Sequence, residues 1–212
     1  GGYGGDRGGY GDGGGGKGGG GGRGDFGGGQ KWGGIDGADD FEEQLANDEA
    51  AYRREFGAAF SSGIDFAKYA DIPVEIEFPR GMTELPDDQK PVIDFSGLKC
   101  GRVLGRNLRF AGFQVPTPVQ GNSVPMAIAG QDVISVAQTG SGKTLAFMLP
   151  IMYKLLQAGP AESSYGGGRN ARVAIRGLAM APTRELAVQI ADETKKFAFR
   201  TGLRICVAYG GA

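Results

Sequence analysis

Eight consecutive residues near the middle of the chain, Ala137-Gln138-Thr139-Gly140-Ser141-Gly142-Lys143-Thr144, restrict its fold more than any other stretch. They join an apolar run led by Asp132, Val133-Ile134-Ser135-Val136-Ala137, to a segment of helical periodicity over 143–157. The run suits a buried parallel strand, and residues 139–142 form a glycine-rich turn. The octad fits the phosphate-binding P-loop pattern, with alanine in the first place where the generic form has glycine. Gly140 and Gly142 let backbone N–H groups turn inward around phosphate oxygens with no Cβ in the way. Lys143 is expected to reach the β- and γ-phosphates of a nucleotide, and the Thr144 hydroxyl to ligand Mg²⁺. The helix that starts there adds its N-terminal partial charge, about +0.5 units, at the phosphates. A Gly-Ser-Gly turn that binds nothing is the alternative; strand, turn and helix in register weigh against it.

The rest of the chain is read around this turn. Residues 173–181 and 203–208 are expected to be further strands, with a helix over 184–199 between them. Segment 97–110 is weakly helical, Gly112 to Pro118 is a loop, and 117–129 a second helix. Strands alternating with helices predict an α/β fold with a parallel sheet and flanking helices. Segment 158–172 reads as a flexible insertion, 38–57 as a charged helix with Phe41, Leu45, Tyr52 and Phe56 roughly on one side, and 63–91 as an extended linker.

Of the 42 glycines, 22 lie within residues 1–34. Chain this rich in glycine cannot repay the entropy of ordering, so residues 1–37 are expected to be a disordered arm. The organisation is therefore an arm at 1–37, helix and linker at 38–91, and a nucleotide-binding domain at 92–212. Residues 1–34 carry a net charge of +1 and the remainder −2, so any grip on nucleic acid must be local. With net charge this small, the arm is as well read as a solvated spacer as an RNA-binding or condensing segment.

Two cysteines, Cys100 and Cys206, make neither a disulfide framework nor a zinc site and are expected to be small buried hydrophobes. The absence of histidine removes histidine-based catalysis and most transition-metal sites. No apolar run reaches the ~18 residues of a membrane span, so no membrane partner is expected, and a reducing intracellular compartment fits best. The first methionine is Met82 and Ala212 follows a strand-like run, so the chain is expected to be a fragment.

Three further segments match the order of motifs in one family. Gly112-Phe113-Gln114-Val115-Pro116-Thr117-Pro118-Val119-Gln120, with Phe95 lying 17 residues before Gly112, precedes the octad; Pro182-Thr183-Arg184-Glu185-Leu186-Ala187 and Gly210-Gly211 follow it. On these residues the chain resembles the DEAD-box ATP-dependent RNA helicases: the first segment resembles their Q motif, here 93–121, the octad their motif I including its alanine, 182–187 their motif Ia, and 210–211 their GG motif. Residues 63–69 and 71–75, the Tyr-Gly-rich arm and the insertion are similar to the Vasa- and Belle-like subfamily. The resemblance implies a RecA-like first helicase domain, here incomplete.

It also implies roles. ATP would be held by Phe95, Phe113, Gln114, Val115, Pro116, Thr117, Pro118, Val119 and Gln120 together with Ala137 to Thr144, with Mg²⁺ on Thr144 and Lys143 and Thr144 serving catalysis. Phe113 offers an apolar face for an adenine ring, and the Gln120 amide can pair with adenine N6 and N7 while rejecting guanine. Thr117 is expected to brace the loop. A helix-capping Thr-Pro with a surface glutamine is the plainer reading of the same residues. Pro182, Thr183, Arg184, Glu185, Gly210 and Gly211 would contact the backbone of single-stranded RNA. A capped helix start and a plain turn serve those residues equally well on their own.

The activity implied is ATP-driven unwinding of short RNA duplexes or remodelling of RNA–protein complexes, with translation or mRNA-granule factors as partners and no preference for DNA. The cytoplasm is the expected location, with RNA granules, a perinuclear position or the nucleus as variants. Residues 1–212 contain no Asp-Glu-Ala-Asp segment, so this chain alone is expected not to hydrolyse ATP. A non-enzymatic RNA-binding or condensate-scaffold protein, and a P-loop enzyme of another kind, stay open as alternatives.

Overall fold

The computed structural model describes residues 34–36, 41–57, 73–78, 81, 83–160 and 175–210. The expected arm, apart from 34–36, residues 63–72, 79–80 and 82 of the linker and residues 161–172 of the expected insertion lie outside the described residues. Five α-helices are described: α1 Phe41–Phe56, α2 Arg102–Phe110, α3 Pro118–Ala129, α4 Lys143–Gln157 and α5 Arg184–Phe197, with a 3₁₀ turn at Asp87–Gln89.

Each helix starts and stops for local reasons. Thr117 caps α3, and Pro118 takes the first turn, where a missing N–H costs nothing. Gly130, at φ 99°, ends the helix in the left-handed region. Pro125 inside α3 cannot donate to the Gly121 carbonyl one turn back, and the Val92 N–H takes that carbonyl instead at 3.0 Å. A Cβ on Gly121 would lie 2.4 Å from the Val92 oxygen, so only glycine allows this junction. α2 stops at Gly112, φ 86°, where the Phe113 N–H reaches the Leu108 oxygen at 2.9 Å and the Gly112 N–H reaches Arg109 at 3.0 Å. This pair of bonds is a Schellman turn, and it sets where Phe113 points away from α2.

α4 is the central element. Leu145, Leu149, Met152 and Leu156 form a buried stripe along it, and it packs against α3 and α5. α2 adds Leu104, Leu108 and Phe110, and packs against α5 and α1.

The docking of α1 follows from one face of the helix. Tyr52, 2% exposed, meets the rings of Phe56, Phe110 and Phe199 at 4.9, 5.6 and 5.3 Å. One turn earlier, buried Asp48 pairs with both Arg106 of α2 and Arg200 beyond α5. Arg106 also donates to the Asn107 side chain at 3.1 Å and the Phe199 carbonyl at 3.3 Å. Asn107 closes the cluster with 2.7 Å bonds to the Phe197 and Phe199 carbonyls. Burial lowers the Arg106 pKa and the Asp48 carboxylate opposes that shift.

The expected parallel sheet has no hydrogen-bonded counterpart among the described residues. Among the described residues no strand forms: 133–137, 175–181 and 203–208 carry no ladder, and residues 173–174 lie outside the description. Ile134 and Val136 are 95% and 96% exposed, and Ile175, Leu178 and Met180 are also open. Apolar composition states what a segment can bury, whereas a strand exists only when a second segment pairs with it in register. The helices pack on each other and on one side of these runs, with Val133, Ala181, Leu203 and Ile205 only half-buried. Cys206 shares that exposure, against the expectation of burial, while Cys100 is buried in the core.

Candidate functional site

The first candidate site lies where α3 and α4 begin. Gly140 and Gly142 have φ of 78° and 86°, so the turn before α4 uses the left-handed conformation twice. Thr117, buried at the start of α3, donates its hydroxyl to the Ser141 carbonyl at 2.7 Å. Gln120, fully buried, accepts the Thr117 N–H at 2.9 Å and donates to the Gly142 carbonyl at 3.1 Å. A Cβ on Gly142 would lie 2.3 Å from the Gln120 amide nitrogen, so glycine is required for this contact as well as for its φ. Two segments about 20 residues apart in sequence are thereby locked together.

Lys143 curls back on the same turn, its ammonium donating to the carbonyls of Ala137 at 2.5 Å and Gln138 at 2.6 Å. Among the described residues no carboxylate pairs with it. Neutral carbonyls satisfy its N–H groups but leave its charge uncompensated, which suits an anion. The Ser141 hydroxyl is buried with no hydrogen-bond partner. A half-buried lysine without counter-charge, an orphaned hydroxyl, two left-handed glycines and the start of a 15-residue helix fit a phosphate chain. Thr144, half-buried in the first turn of α4, offers the hydroxyl expected to meet Mg²⁺. Thr139 and Gln138 are exposed beside them.

The aromatic expectations come out differently. Phe113 is half-buried between Phe95 and Phe197, with ring centres 6.2 and 5.5 Å away in edge-to-face geometry. It therefore doubles as part of the core. The Gln120 amide, expected to face a base, has both its carbonyl and its NH₂ engaged by the protein. Gln114 and Val115 are exposed, Pro116 is buried, and Pro118 and Val119 are half-buried.

The second candidate patch is at the start of α5. Thr183 caps the helix, accepting the Leu186 N–H at 3.3 Å. Pro182, Thr183, Arg184 and Glu185 are all exposed. The Arg184 guanidinium lies 4.2 Å from the centre of the Tyr209 ring and donates to its hydroxyl at 3.3 Å. Gly210 is exposed, with nothing within 4 Å of where a Cβ would stand, and Gly211 lies outside the described residues. α5 and α4, which begin with Arg184 and Lys143, pack against each other.

Sequence reading missed the Asp48–Arg106–Arg200 cluster and Tyr209. For Asp48 a signal existed: it sits at helical spacing between Leu45 and Tyr52, an acid on the otherwise apolar stripe of α1. No group of histidine, cysteine or acidic residues able to hold a metal occurs among the described residues, and no described helix is long and apolar enough to cross a membrane.

Comparison with known proteins bears on this geometry. Residues 117–212 match the family model of the DEAD/DEAH box helicases, a stretch that begins at Thr117 and contains the turn, α4 and α5. Among solved structures, the chain is similar to the RNA helicase Prp28 from Chaetomium thermophilum bound to ADP, at 34% identity over 60% of this chain, with a TM-score of 0.49. The chain spans 28% of the length of that protein.

Proposed function

We propose that this chain carries the ATP-binding part of the first RecA-like domain of a DEAD-box RNA helicase, in the Vasa- and Belle-like group. The observation that carries the reading is the pair of bonds from Thr117 to Ser141 and from Gln120 to Gly142. They hold the segment read as the adenine site against the loop read as the phosphate cradle, close enough for one nucleotide to touch both. Lys143 would exchange its two carbonyl partners for phosphate oxygens, and the N–H groups at the start of α4 would face the same charge. Thr144 would help to hold Mg²⁺, which would neutralise the charge that develops on the phosphates.

Recognition of adenine by Gln120 has a structural consequence. Both ends of its amide are engaged, so pairing with a base requires it to give up the Thr117 N–H, the Gly142 carbonyl, or both. Base recognition and the shape of the phosphate loop are thereby linked through one side chain. Arg184 and the start of α5 would take the sugar-phosphate backbone of single-stranded RNA, independently of its sequence. The whole protein would couple ATP and RNA binding to separation of short duplexes or remodelling of RNA–protein complexes, in the cytoplasm or its RNA granules.

Nucleotide binding to this chain tests the reading directly. Titration with a fluorescent ATP analogue in the presence of Mg²⁺ is expected to show binding that ATP displaces and GTP does not. Lys143→Ala abolishes it, and Gln120→Ala removes the preference for adenine. Equal displacement by GTP and ATP would overturn the assignment of the Gln120 segment. Because residues 1–212 lack an Asp-Glu-Ala-Asp segment, hydrolysis is assigned to the whole protein and binding alone to this chain.

A further inference from the structure

We propose that Tyr209 is a positioning residue for Arg184, holding its guanidinium ready for the phosphate backbone of single-stranded RNA; this rests on the RNA reading given above. An exposed arginine at a helix start ordinarily samples many rotamers, and a phosphate must pay to select one of them. Here the guanidinium lies 4.2 Å from the Tyr209 ring centre, and one of its NH₂ groups donates to the ring hydroxyl at 3.3 Å. Ring and hydrogen bond together fix both the place and the rotation of the guanidinium.

The stack also preserves charge. Among the described residues no carboxylate pairs with Arg184, so its positive charge is not neutralised within the protein. An aromatic face attracts the cation without cancelling it, and only one of the five N–H donors is spent on the tyrosine. The remaining donors stay available for a bidentate grip on phosphate oxygens. The surroundings suit an extended backbone ligand. Pro182, Thr183 and Glu185 are exposed beside Arg184, and Gly210, directly after the tyrosine, has open space where a Cβ would be. Tyr209 is itself 47% exposed, so its replacement removes no core packing.

The test measures anisotropy of a short fluorescein-labelled oligouridine titrated with the whole chain, in the presence of ATP and Mg²⁺. Arg184→Ala is expected to weaken binding about tenfold. Tyr209→Ala weakens it about threefold, and Tyr209→Phe, which keeps the ring, stays within about twofold of the unmodified chain. The double variant Arg184→Ala, Tyr209→Ala is no weaker than Arg184→Ala alone, because a positioning residue has nothing left to position. The upfield ring-current shift of the Arg184 Hδ protons, read by NMR without RNA, disappears in Tyr209→Ala.

The outcomes separate two failures. No binding by the unmodified chain, or an Arg184→Ala variant that binds as well, defeats the RNA reading itself. A weakened Arg184→Ala beside an unaffected Tyr209→Ala overturns the positioning role. Additive losses in the double variant also overturn it, because they would mean that Tyr209 contacts RNA on its own account.

Discussion

Removing the carboxylate of Asp48 should cost this protein more stability than breaking any of the exposed ion pairs Glu49–Arg53, Asp87–Lys90 or Asp192–Lys195. Asp48 and Arg106 have side chains 3% and 5% exposed, whereas Arg200 is 36% exposed. Breaking a buried pair by deleting one partner costs about 3–5 kcal/mol, chiefly because the surviving charge is stranded. Arg106 would keep its bonds to Asn107 and Phe199 and its place near the Phe110 and Phe199 rings, at 5.8 and 5.9 Å. The lower end of that range, about 3 kcal/mol, is therefore expected for Asp48→Asn. In urea, with a slope of about 2 kcal/mol per molar, the unfolding midpoint falls by about 1.5 M. Arg200→Ala leaves the inner pair intact and removes a partly solvated one, so it should cost about 1 kcal/mol or less. A combined Asp48→Leu, Arg106→Leu variant should lose less than Asp48→Asn, since no charge is stranded and Asn107 still serves the Phe199 carbonyl. An Asp48→Asn midpoint indistinguishable from the unmodified chain, or an equal loss in Arg200→Ala, would refute the argument.

Two further expectations concern groups buried by the same packing. Burial pushes the Tyr52 phenol up to about 12, above its ordinary value of 10.0. The native state then holds a proton that the unfolded state has lost, so stability from this group is complete below pH 10 and falls between pH 10 and about 12. Spectrophotometric titration of the folded chain should show one tyrosine ionising late, and Tyr52→Phe should remove that step; a single transition near pH 10 for all seven would contradict it. Burial likewise raises the Cys100 thiol to about 11, while Cys206 is exposed. A thiol reagent at neutral pH should therefore modify Cys206 alone in the native chain and both cysteines in denaturant, and rapid native labelling of two thiols would show the core placement of Cys100 to be wrong.

The helices were readable from pattern because their causes are local. Thr117-Pro118 and Thr183 at helix starts, and Gly112 and Gly130 just past helix ends, each act through residues within one turn. The segment 97–110 illustrates the limit of pattern: only Arg102–Phe110 is helical, because Gly101 adopts φ 81° just before it. The bracing role of Thr117 was expected from the family resemblance and not from local pattern, because its partner Ser141 lies 24 residues away. The engagement of Gln120 was not expected, because its free or occupied state depends on whether Gly142 lies within 3.1 Å.

The amino-acid sequence by itself determined the limits of α3 and α4, the glycine-rich turn between them and the positive charge at the head of α4, since each of these is decided by backbone sterics or by neighbours a few residues away. Only the tertiary structure decided that α1 is fastened by Asp48 to arginines 58 and 152 residues distant, and that Arg184 rests on a tyrosine 25 residues further on. It also decided that the apolar runs at 133–137, 175–181 and 203–208 carry no ladder. Pairing, burial of charge and stacking are relations between remote segments, and their energy depends on distances that no local pattern contains.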